Sequence, residues 1–105
     1  MTNTEIDRKL ALAIGYLPKH IWQNVTDSIL VFRDDVESLG WSKFSHQDPT
    51  VILPIMERYD CAPYFVRKEW HAYLGDHPTA TSCRHTNPRT AAALAVIEAK
   101  EMGLI

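Results

Sequence analysis

The chain has 105 residues, 46% of them apolar and 23% charged, with a formal net charge of −2. That length fits one domain, residues 1–105, around a single small core. The slight acidic excess argues against a dedicated nucleic-acid binder, and no apolar run approaches the roughly 20 residues of a membrane-spanning helix. The opening Met1-Thr2-Asn3-Thr4-Glu5 lacks the basic and apolar regions of a signal peptide. The chain therefore reads as soluble and cytoplasmic, with Cys61 and Cys83 as free thiols and the sequon at Asn24 idle.

A first helix is expected from Glu5 to Ile14. Ile6, Leu10, Ala13 and Ile14 recur at helical spacing, Thr4 can cap the start with Asp7 three residues on, and Gly15 then Pro18 stop it. Ile29-Leu30-Val31-Phe32 reads as a buried strand, and Ile21-Trp22-Gln23 as its hairpin partner across Asn24 to Ser28. Val36 to Gly40 is a connector with a turn, after which Trp41 and Phe44 lead into a second helix. Asp48-Pro49-Thr50 opens that helix by a cap followed by proline. Val51, Ile52, Ile55, Met56 and Tyr59 form its apolar stripe, and Pro54 predicts a kink or restart.

Tyr64 to Leu74 reads as one strand. Tyr64, Val66, Trp70, Ala72 and Leu74 share the face toward the helices, and Phe65, Arg67, Glu69, His71 and Tyr73 share the other. Trp70 is thus expected in the core and Phe65 on the opposite side. Gly75-Asp76-His77-Pro78 is turn chemistry, and Thr79 to His85 the returning strand. The last helix carries both its ends in its letters. Asn87 caps it, Pro88 takes the first helical position, and Gly103 closes it with Leu104 folding back. Its small residues, Ala91 to Ala95 above all, let other elements pack closely. The predicted class is α+β, a small antiparallel sheet covered by helices in an α-β-α sandwich-like arrangement.

Three blocks carry a family resemblance. Glu5 to Tyr16 resembles the opening helix of phage proteins grouped as the phage ABA sandwich domain, with its aspartate and its ending in glycine and an aromatic. Phe44-Ser45-His46-Gln47-Asp48 is similar to that group's aromatic-Ser-Thr-Asp entry to its middle helix, and Ala92 to Ala99 to its closing helix. Pro54 and the acidic, lysine-bearing tail from Glu98 to Glu101 depart from the pattern. The resemblance implies a bacteriophage or prophage origin and a bacterial host cytoplasm, and it brings no catalytic motif.

The residues themselves offer no catalytic motif either. There is no phosphate-binding glycine loop, nucleophile elbow or H-E-x-x-H, and Cys61 has no placed base. His71, His77, Cys83 and His85 lie within fifteen residues, and Cys83 and His85 would share a strand face, but the spacing matches no common zinc pattern. The reading assigns no metal and no cofactor.

What remains is an anion-binding helix end. Asn87 is an uncharged cap, the N–H groups of Arg89 and Thr90 are free to donate, and Arg84, His85 and Arg89 lie close by. Trp41 or Tyr73 would stack on a base beside it. The chain is accordingly read as a non-enzymatic phage protein that sequesters an anionic nucleotide-like host signal, of the cyclic nucleotide or ADP-ribose type. It would be a homo-oligomer whose contact uses the aromatics around Trp22, Trp41 or Tyr73. The alternatives are a module that inhibits a host or defence protein through an exposed strand face or edge, and, third, an enzyme.

Overall fold

The structure, a computed structural model, describes residues 2–23, 28–33, 40–75 and 83–105. The loop of the first hairpin at 24–27, the connector at 34–39, and 76–82 with the expected turn at Asp76-His77-Pro78 lie outside the described residues.

Helix α1 spans Asn3–Ala13, and its cap is Thr2, whose hydroxyl accepts the Glu5 N–H at 3.2 Å. The cap expected at Thr4 is thereby corrected. Thr4 is buried inside the first turn, and Asp7 turns inward to a partner far along the chain instead of closing a capping box. Helix α2 spans Pro49–Arg58 behind its cap Asp48 and runs through Pro54 without a restart. Ile52 and Ile55 carry its buried stripe. Helix α3 spans Pro88–Glu101 behind its cap Asn87, as expected.

Both α1 and α3 close with a left-handed glycine, Gly15 at φ 114° and Gly103 at φ 74°. The next amide folds back in each case, Tyr16 N–H onto the Ala11 carbonyl at 3.0 Å and Leu104 N–H onto that of Ala99 at 2.9 Å. Helix α3 is buried at Thr90 to Ala93, Ala95 to Ile97 and Ala99, nearly all round its axis. It packs on α1 and α2. Its run of alanines permits that close approach, and it is the centre of the fold.

The sheet expected as one is two. The first holds β1 (Ile21–Gln23), β2 (Ile29–Arg33) and β3 (Gly40–Phe44) in that order, all antiparallel. The hairpin of β1 and β2 is the one the sequence suggests, and its register sets Ile21 opposite Val31. Strand β3 is a correction, since the sequence predicts only a lead into α2 at Trp41 and Phe44. Of that strand only Phe44 is buried, so the stretch shows no inward stripe to read. Ile21, Ile29, Val31 and Phe44 form the inner face, and β2 rests on α1.

The second sheet holds β4 (Tyr64–Val66), β5 (Glu69–Ala72) and β6 (Cys83–His85), with β5 and β6 against α3. Residues 64–74 are therefore a hairpin and not one strand. It turns at Arg67 (φ 52°) and Lys68 (φ 68°), a left-handed pair of the kind two-residue hairpins use, built here without glycine or asparagine. The turn reverses which residues share a face. Tyr64 now lies opposite His71, and Phe65 opposite Trp70 with ring centroids 5.3 Å apart. Phe65 is thus on the same side as Trp70, which corrects the expected opposition, and Trp70 is partly buried and packed against the core. Two three-stranded antiparallel sheets joined through three helices, among the described residues, make a compact α+β fold.

Candidate ligand-binding site

The start of α3 is built from long-range contacts. Asp7 of α1 uses Oδ1 to accept both the backbone N–H of His46 at 2.7 Å and the Nδ1 of its ring at 2.6 Å. Because a carboxylate oxygen only accepts, Nδ1 carries a hydrogen there. His46 Nε2 is 3.0 Å from the Thr90 hydroxyl, which also accepts from Gln47 Nε2 at 2.9 Å. Asp7, His46 and Thr90 are all buried. The set has the order of a carboxylate-imidazole-hydroxyl relay. Its hydroxyl has no solvent access, so it serves as a polar clamp joining α1, the approach to α2, and α3.

The backbone at this helix end is engaged as well. Asn87 Oδ1 accepts the N–H groups of Arg89 at 2.9 Å and Thr90 at 3.1 Å, and His85 Nδ1 accepts the Asn87 N–H at 3.0 Å. The Arg89 guanidinium donates to the Gln47 carbonyl at 2.9 Å. Asp48 stands near by with its carboxyl held below the usual range, first by the Thr50 hydroxyl and amide and then by Lys43 and Arg89. The donors that an anion would use are held by protein acceptors.

The seven residues expected to form one site fall in three places. His85, Asn87, Arg89 and Thr90 surround the helix end just described. Arg84 and Tyr73 belong to the outer face of the second sheet, where Arg84 pairs with His71 in register. The Tyr64 ring stacks on His71 at 5.5 Å and meets Tyr73 edge-on at 5.8 Å. Trp41 is on the first sheet. Of the residues weighed as metal ligands, Cys83 and His85 do share a face, His71 is on the other, and His77 lies outside the described residues. No group of three or more metal-ligating side chains forms among the described residues.

Trp41 leads to the largest concavity described. On the outer face of the first sheet, Trp22 of β1 lies opposite Leu30 of β2 and Leu30 opposite Lys43 of β3, while Phe32 lies opposite Trp41. The Phe32 ring is 5.6 Å from that of Trp41 and 5.5 Å from that of His20. Trp22 is 57% exposed and Trp41 48%. Pro18, Lys19, Ile21, Trp22, Leu30 and Trp41 line an open cleft of about 520 Å³. That volume is within the range of small-molecule sites. The sequence reading named Trp41 but missed Lys19 and Leu30. The available signal was the alternation Ile21-Trp22-Gln23, which points Trp22 out once Ile21 is inward.

The fold and the cleft define an α+β domain that presents two tryptophans on the open face of a three-stranded sheet. The chain matches no known family model, no curated protein and no solved structure.

Proposed function

We propose that the chain is a non-enzymatic binding protein that holds a planar, anionic, nucleotide-like ligand in the cleft between Trp22 and Trp41. The observation that carries the reading is the pair of exposed indoles lining one cleft, with Lys19 at its wall. Leaving two tryptophans in water is unfavourable unless something covers them. Base stacking on such rings is worth about 1–3 kcal/mol per base, and a lysine ammonium supplies an attraction for phosphate that an apolar cleft alone lacks.

The likeness of both ends and the middle to the phage ABA sandwich group supplies the setting. In it, a phage protein in the host cytoplasm would sequester a host signal of the cyclic nucleotide or ADP-ribose type. The test is a thermal-shift and tryptophan-fluorescence series with cyclic dinucleotides, ADP-ribose isomers and mononucleotides. A ligand that quenches the tryptophans and raises the melting temperature supports the reading. If every nucleotide fails, inhibition of a host or defence protein through the same sheet face becomes the better account, favoured by how open the cleft is.

A further inference from the structure

Strand β4 is the outermost strand of the second sheet, and its far edge is unpaired among the described residues. Tyr64, Phe65 and Val66 are nonetheless 42%, 58% and 40% exposed, three apolar side chains in succession. An exposed apolar edge, even one of three residues, offers unpaired backbone groups to another strand. The ladder to β5 continues past β4 in the same register, through the Cys61 bridge to Leu74 and the Gly75 N–H bond to the Asp60 carbonyl at 2.9 Å.

Hydrogen-bonded pairs alternate along an antiparallel ladder. Asp60 bonds to β5's side, so Tyr64 and Val66 do too, and Cys61, Pro63 and Phe65 turn their backbone groups outward. The Cys61 N–H agrees, since it leaves the ladder for the Met56 carbonyl at 2.8 Å. Phe65 therefore offers both an N–H and a C=O at the open edge, while Pro63 offers a carbonyl alone.

The geometry points to a second copy of this chain as the occupant of that edge, with β4 pairing antiparallel to itself about a two-fold axis at Phe65. A two-fold contact must be self-complementary, and this edge is so in three respects. The outward N–H and C=O of Phe65 bond to those of the partner subunit's Phe65. On one face the row Trp70–Phe65 continues into the partner subunit's Phe65 and the partner subunit's Trp70, and on the other Tyr64 meets the partner subunit's Val66. An acid, Asp60, also precedes the strand and two cations, Arg67 and Lys68, follow it, so the reversed copy sets the partner subunit's Lys68 opposite Ala62, near the acid of Asp60, at each end. Proline at position 63 stops the pairing there and keeps it to one short strand. The result is a six-stranded sheet across the dimer, on a surface separate from the tryptophan cleft and independent of what that cleft binds.

Light scattering behind size-exclusion chromatography tests this. The full chain should give twice its 12.0 kDa mass at high protein concentration and fall toward a single mass on dilution. Phe65→Pro removes an N–H that β5 does not use, together with the ring, and should leave a monomer that still unfolds cooperatively. Phe65→Cys should cross-link into a disulfide dimer under mild oxidation, because Cα atoms of such a pair stand about 5.5 Å apart, while the parent chain should not. A chain that stays monomeric at every concentration overturns the proposal. So does a dimer that persists in Phe65→Pro, or one in which Phe65→Cys fails to cross-link. If Phe65→Pro does not fold, the cross-linking result decides alone.

Discussion

His46 Nδ1 and Asp7 Oδ1 are 2.6 Å apart, and both residues are buried. The contact links residues 39 positions apart and, with Thr90, fastens the first and last helices to the approach of the second. Asp7→Ala removes the acceptor for two buried donors at once, the His46 amide and ring. Stranding buried polar groups in this way costs about 3 kcal/mol. Urea unfolding should show a midpoint lowered accordingly. Gln47→Ala, which removes one partly buried donor, should cost about 1 kcal/mol. Equal effects of the two would contradict the clamp.

Cys61 and Cys83 are free thiols whose pKa values are pushed up to about 11 from 9.0. Burial comes first in both, with Cys83 and Asp60 adding to Cys61 and Glu98 adding to Cys83. The folded state disfavours thiolate, so alkylation should be slow at neutral pH and fast after denaturation. The same shift has a stability consequence. Above pH 9 the unfolded chain loses thiol protons that the folded chain keeps until about 11, so it binds fewer protons and is favoured as pH rises. The melting temperature should fall across that window, and Cys61→Ser with Cys83→Ser should flatten the fall.

The turn at Arg67 and Lys68 holds two non-glycine residues at positive φ. Each left-handed residue of this kind carries a strain of about 1 kcal/mol. Lys68→Gly should therefore raise stability by about 1 kcal/mol. Thermal unfolding in dilute protein measures it, and a loss of stability would show that the Lys68 side chain makes a contact worth more than the strain.

This turn also shows what the letters conceal. Arg-Lys carries no turn signature, and a strand pattern runs through it with Lys68 as the sole interruption. Helix α3 was legible because its cap, first proline and closing glycine are local chemistry at the helix's own two ends. Asp7, His46 and Thr90 were not, since their partnership depends on helices meeting in space. The expected site failed to gather for a related reason: Arg84 and His85 are adjacent in sequence and so point to opposite faces of β6. Trp41 needed β3 to exist before its neighbour Trp22 could be found.

The functional reading puts the ligand on that pair. Trp22→Ala and Trp41→Ala should each weaken binding of a nucleotide ligand by about 1–3 kcal/mol, the range for one base on one ring. Folding should survive both, because roughly half of each side chain already faces solvent. Lys19→Glu should weaken an anionic ligand and leave its uncharged nucleoside little changed. The helix end supplies the contrast. Arg89→Glu breaks the bond to the Gln47 carbonyl, and Arg84→Glu acts on the other sheet, so neither should alter affinity for a ligand in the cleft. Isothermal titration of these variants separates the two places. Loss of binding in Arg89→Glu with Trp22→Ala and Trp41→Ala unaffected would move the site to the start of α3 and remove the cleft from the mechanism.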